Sequence, residues 1–227
     1  MFEQAVEAAR AHAIETWPKE ACGIVAGGQY VRIRNTARDP HNAFRMPART
    51  FADHQVEAVI HSHTQAHGPW PSASDMQGQI DTAVPWGILW CDGETARGPV
   101  WFGDHVLDEP LLGRPFRPGI TDCYSLVRAW FRQERGIALK EFPRDELWWK
   151  DGGDMLAEGF GPAGFAPVDN MKAGDVLLMT IRSQVANHCA VVLENGLMLH
   201  HLENRLSARE VIGRYKPFIT QVVRHGG

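Results

Sequence analysis

Between Gly98 and Gly119 the chain is broken by Pro99, Gly103, Pro110, Gly113, Pro115, Pro118 and Gly119, and no hydrophobic period survives the stretch. Regular elements lie on both sides, so one continuous core across the whole chain is disfavoured. The reading is of two domains, residues 1–100 and 115–227, joined by a linker at 101–114. A length of 227 residues permits this division.

The N-terminal half opens with Phe2, Val6, Ala9 and Ala13 at helical spacing, closed by Pro18. The run Gly23–Ala26 before Gly27-Gly28 predicts a strand and turn, and Val56–His61 predicts a second strand. A helix is expected from about Ser72 and another buried strand over Val84–Trp90. In the C-terminal half, Thr121 or Asp122 caps a helix with Leu126, Val127, Trp130 and Phe131 on its apolar face, ending at Gly136. Strands are expected at 175–179, 189–193 and 197–200. A net charge of −4 without a basic stripe argues against nucleic acid as a partner. No run reaches the roughly eighteen apolar residues of a membrane span, and the first residues lack a signal-peptide pattern. Four cysteines without CxxC spacing point to reduced thiols made in a cytoplasm.

His61 and His63 are two apart on a strand end, so both rings point to one face, which suits a metal ion. Asp75 follows twelve residues after His63 and offers a third ligand, leaving a fourth zinc position for water. Taken alone, Ser72-x-x-Asp75 is also a helix capping box, and Glu20 before Cys22-Gly23 is an ordinary surface carboxylate. In the other half, Cys123 stands in the first turn of its helix, where the macrodipole favours thiolate. A buried free cysteine is the commoner alternative. A nucleophilic cysteine needs an imidazole base, and the base needs an orienting partner. His188 begins a strand that a Glu194-Asn195-Gly196 loop returns toward His200 and His201. A two-residue Asn-Gly turn would pair 188 with 203 and put His201 on its face; a three-residue loop would pair 188 with 202 and bring His200 there.

The combination of Glu20, Cys22-Gly23, His61-Ser62-His63 and Pro71-Ser72-x-x-Asp75 resembles the JAMM (MPN-type) metallopeptidase motif. The resemblance implies Zn2+ held by His61, His63 and Asp75, with Glu20 as general base and Ser72 as oxyanion stabiliser, Ser74 being the alternative to Ser72. It departs from the pattern at Thr64, where proline often follows, and its loop to Ser72 is one residue longer than in the eukaryotic deubiquitinating members. Asp122-Cys123-Tyr124, then Asn187-His188-x-Ala190-Val191-x-Leu193, then a polar residue twelve positions after the histidine, is similar to the NlpC family of papain-like cell-wall peptidases. That likeness implies a Cys123, His188, His200 triad and leaves His201 a structural neighbour.

The two together, in this order, resemble the family of lambdoid phage tail assembly protein K. Pro110–Phe116 and the segment Leu199–Ser207 are similar to stretches that family carries. The fold implied is a JAMM-like mixed α/β domain followed by a papain-like α+β domain of NlpC type. The activity implied is hydrolysis of peptidoglycan stem peptides, beside a zinc-dependent site of unassigned substrate. Other tail-tip proteins are the implied partners, with the host cytoplasm during assembly and the virion tail tip as locations. A structural tail-tip component with both sites masked by neighbouring subunits is the alternative.

Overall fold

A computed structural model describes residues 2–64, 67–104, 109–150 and 152–227. The chain forms two compact units, Met1–Asp108 and Glu109–Gly227.

In the first unit, α1 (Glu3–Thr16) is followed by the strands β1 (Cys22–Ala26) and β2 (Gln29–Ile33), the single turn α2 (Thr50–Asp53) and β3 (Ala58–His63). Then come α3 (Ala73–Thr82), β4 (Trp86–Cys91) and β5 (Ala96–Phe102). The sheet order is β2-β1-β3-β4-β5, with β3 and β4 parallel and the other pairs antiparallel. Ala5, Val6, Ala9 and Ala13 of α1 pack on Val25, Ala58, Ile60 and Leu89, because helical spacing on one side meets period-two alternation on the other. Ile60 is fully buried, and truncating it to alanine costs about 2–5 kcal/mol. Since Ala58 and Ile60 face α1, His61 and His63 must emerge on the opposite face of the sheet. A side chain at Gly23 would have to displace the Tyr30 ring, for a Cβ there would sit 2.4 Å from it.

The expected loss of order after Gly98 is corrected here, since β5 runs on to Phe102 through Pro99. It is an edge strand, so the missing N–H of proline can face away from the ladder, and a register shift at Ile88/Trp90 in β4 absorbs the irregularity. Of the span 101–114 read as a linker, residues 105–108 lie outside the described residues. Residues 113 and 114 are tied to the second unit by hydrogen bonds with Ser207.

The second unit contains α4 (Cys123–Trp130), continued by a π-helical turn over Phe131–Arg135, then α5 (Met155–Phe160) and β6 (Phe165–Pro167). The remaining strands are β7 (Val176–Met179), β8 (His188–Val192), β9 (Leu197–His200), β10 (Ala208–Val211) and β11 (Ile219–His225). All pairings in the six-stranded sheet β10-β9-β8-β7-β11-β6 are antiparallel. Tyr124, Val127, Trp130 and Phe131 form a core with Val176 and Leu178 of β7 and with Cys189, Val191 and Leu199. Leu177, Met179, Ala190 and Met198 form a second cluster. Strand β11 was not anticipated from the sequence, yet it lies inside the sheet between β7 and β6. Its residues are mostly half-buried with no clean alternation, so the periodic signal is weak.

Candidate active sites

In the first unit, β3 delivers His61 and His63, and the first turn of α3 delivers Asp75. The Nε2 atoms of the two histidines are 3.1 Å apart, and each lies 3.3 Å from one Asp75 oxygen. All three residues are buried, and their ligand atoms lie within 4.8 Å of one another. His63 Nδ1 is 2.8 Å from the Gly68 carbonyl, which places a proton on Nδ1 and turns Nε2 toward the cluster. Among the described residues His61 Nδ1 has no partner, and its ring stacks on Phe44 at 4.4 Å.

Ser72 caps α3. Its hydroxyl donates to Asp75 Oδ2 at 2.7 Å and accepts from the Asp75 N–H at 3.2 Å. The capping box and the metal-ligand reading therefore describe the same carboxylate, with Oδ2 held by Ser72. Burial raises the pKa of Asp75, but the two imidazoles against it outweigh burial and hold it well below the usual carboxylate range. Glu20 is buried just before β1, and burial pushes its pKa up to about 7. Its loop is pinned to β3 by paired bonds between Ala21 and Ser62, each 2.9 Å. Glu20, His63, Ser72, Ser74 and Asp75 line one cavity of about 330 Å³, which also includes His67 and Asn42, hydrogen-bonded to each other at 3.1 Å.

In the second unit, Asp122 caps α4 by accepting from the Ser125 N–H at 2.9 Å, which places Cys123 at the first helical position. Arg144 grips Asp122 from the other side, with Nε 2.7 Å from Oδ2 and Nη2 2.9 Å from Oδ1. A third contact from Arg144 Nη2 reaches Ser125 Oγ at 2.9 Å, so the start of the helix is held by a buried fork. Hydrogen bonding from the Cys189 thiol, then from His188, outweighs burial and holds the Cys123 thiol well below the ordinary cysteine range. His188 Nε2 lies 3.1 Å from His200 Nδ1, and both rings are buried. Cys123 and His188 line a cleft of about 690 Å³ with Trp148, Trp149 and Arg205.

Ala190 pairs with His200, so 188 stands across from 202 and His200 shares its face; this is the register of the three-residue loop. Asn195 and Gly196 both take left-handed conformations in that loop, at φ 60° and 71°. His201 turns to the other face, where its Nε2 bonds the Arg205 carbonyl at 3.1 Å and its ring meets Phe116 edge-on.

The chain matches the NlpC/P60 family over residues 113–224 and the prokaryotic homologs of the JAB domain over residues 2–101. It is 32% identical over 231 residues to the tail tip assembly protein K of Escherichia phage N15, covering 95% of this chain and 91% of that one. The chain belongs to the tail tip assembly protein K family. Protein K of Escherichia phage lambda is 33% identical over 158 residues, covering 69% of this chain and 74% of the relative. Among solved structures, the NlpC/p60 domain of the peptidoglycan hydrolase SagA is 18% identical, covering 50% of this chain and 88% of that one at a TM-score of 0.34. An NlpC/P60 family protein from Bacillus cereus covers 92% of this chain and 60% of its own length, at 15% identity and a TM-score of 0.35.

For this member of the K family, the structure brings His61, His63 and Asp75 together, with Glu20 and Ser72 on the same cavity. It also places Cys123 and His188 on one cleft, with His200 3.1 Å from His188. Sequence reasoning missed Arg144, which sits 22 residues beyond Asp122 in a stretch with no periodic signal. It also missed Glu210, 3.8 Å from His200, on a strand not foreseen. No helix among the described residues is long and apolar enough to cross a membrane.

Proposed function

We propose that the chain is a phage tail-tip hydrolase that cuts peptidoglycan stem peptides with Cys123, and that it works beside other tail-tip proteins. What supports the reading is that the helix-capped Cys123 and His188 share one cleft, with His200 3.1 Å behind His188, in a chain of the K family. His188 takes the thiol proton, and the Cys123 sulfur attacks the carbonyl carbon of an amide next to a D-γ-glutamyl or diamino-acid residue. The protonated His188 then gives its proton to the leaving amine, and water releases the acyl group. His200 holds the His188 ring through the 3.1 Å contact. Membership of the K family supports a place in the virion tail tip, with assembly in the host cytoplasm.

For the other half, His61, His63 and Asp75 are the residues that would hold Zn2+, and the inward-facing Nε2 of His63 and the ionised Asp75 suit such an ion. When bound, zinc supplies Lewis-acid polarisation and acidifies a water toward neutrality. Glu20, whose carboxyl titrates near neutral pH, is the group of this cavity suited to hold and release a proton. Ser72 contributes its hydroxyl beside the same cavity. The match to prokaryotic JAB-domain homologs supports this assignment, and the substrate of the site is left open by it.

Digestion of purified peptidoglycan by the full chain, Cys123→Ala and His63→Ala, run side by side, tests the reading. Soluble peptide fragments are expected from the wild type and from His63→Ala but not from Cys123→Ala. No release by reduced wild-type protein, while a control hydrolase digests the same material, overturns it.

A further inference from the structure

The contact between His188 and His200 admits two proton arrangements. Either the Nε2–H of His188 donates to a bare Nδ1 of His200, or the Nδ1–H of His200 donates to a bare Nε2 of His188. In the second arrangement the basic nitrogen of a neutral His188 is consumed by His200. Only the first leaves the lone pair of His188 on Nδ1, the nitrogen remaining for the Cys123 thiol.

The far side of His200 selects between them. Ala208 of β10 pairs directly with His200, so Glu210, two residues on, shares the face that carries both histidines. Glu210 Oε2 lies 3.8 Å from His200 Nε2, close enough for electrostatic attraction. The carboxylate is itself fixed: Oε2 accepts from the Tyr215 hydroxyl at 2.6 Å, and Oε1 is 3.4 Å from Arg205 Nη1. The Tyr215 ring also meets His200 edge-on at 5.0 Å. An ionised carboxylate offers only acceptors, so its field favours the form in which the ring nitrogen turned toward it carries the proton. Burial and then His188 push the pKa of His200 down to about 4, so at neutral pH the ring has one proton to place.

We infer that Glu210 is a positioning residue of the Cys123 site: it holds His200 in the Nε2–H form, so that His200 accepts from His188 and His188 keeps Nδ1 for the thiol. The inference rests on the proposed role of Cys123, but the proton arrangement can be read without any substrate. When the S–H bond of Cys123 breaks and an N–H bond forms at His188 Nδ1, the positive charge arises at one end of a line that has Glu210 at the other. Sequence position gave no hint of this, because ten residues and a strand change separate His200 from Glu210.

The test uses the 15N-labelled full chain, with imidazole proton positions read by long-range NMR correlations and Cys123 alkylation by iodoacetamide followed by mass spectrometry. Wild type is expected to show His200 protonated on Nε2 and bare on Nδ1. Glu210→Ala is expected to lose that preference and to alkylate about tenfold more slowly at neutral pH. Glu210→Gln keeps an acceptor oxygen without the charge, so it should retain the tautomer and alkylate at an intermediate rate. A wild-type His200 protonated on Nδ1, or a Glu210→Ala protein with unchanged tautomer and alkylation, overturns the inference. Should Glu210→Ala not fold, a Glu210→Gln protein that alkylates like wild type overturns it equally. If the expected pattern holds while wild type fails to cut peptidoglycan, the hydrolase reading falls and the role of Glu210 stands.

Discussion

His188 Nε2 and His200 Nδ1 stand 3.1 Å apart because Ala190, not His188, is the residue paired across the sheet with His200. The contact is a diagonal one between neighbouring strands on one face, and a slip of one residue in the loop would replace His200 with His201.

His200→Ala is therefore expected to lower kcat for stem-peptide cleavage by about 10- to 100-fold, with KM little changed. His201→Ala removes a ring that lines the cleft but does not touch His188, so it should lower kcat less than His200→Ala, while costing stability through its lost bond to Arg205. Steady-state kinetics on a defined γ-D-glutamyl-diamino acid peptide separates the two. Equal loss of kcat in both variants would contradict the register argument.

Arg144 is buried and forks onto Asp122 while also reaching Glu141 at 2.8 Å. Removing it leaves the buried Asp122 without its cation, while Glu141 keeps Arg128, so Arg144→Met should unfold about 3–5 kcal/mol more easily in urea. Arg144→Lys should recover little of that, because an ammonium cannot reproduce the planar fork.

Zinc added to metal-free protein should raise the melting temperature of the wild type. The gain is about 2.7 kcal/mol at a free-ion concentration one hundred times the dissociation constant. His63→Ala and Asp75→Ala should show neither the rise nor the metal in elemental analysis. Wild type holding less than roughly half an equivalent of zinc after gentle purification, with no rebinding, counts against the site.

Asp175 is buried at the start of β7, and burial raises its pKa, but Arg224 at 2.7 Å and 2.8 Å and the Lys172 N–H at 2.8 Å outweigh this and lower it. A carboxyl depressed in the folded state contributes stability that is complete above its unfolded pKa, near 3.9, and is lost as pH falls through the folded value. Wild-type stability should thus decline as pH drops below about 4. Arg224→Met should be less stable than wild type at pH 7, with the gap narrowing in acid as Asp175 takes up its proton. Urea midpoints from pH 7 down to pH 3 measure it, and a gap that widens in acid would refute the assignment.

Much of this was legible in local patterns. A period of two placed His61 and His63 on one face, and a capping aspartate placed Cys123 at a helix start. Each of those signals is carried by residues within a turn or a strand of one another, where backbone geometry alone fixes the direction of the side chain. The loop at Glu194–Gly196 permitted two registers, and only the folded sheet chose the one that joins His188 to His200. Arg144 against Asp122, Glu210 against His200 and the persistence of β5 through Pro99 were likewise decided in three dimensions. The physical reason is the same for all of them. Partners far apart in the chain meet only after the core has set strand order and register, and a side chain carries no mark of the group it will face.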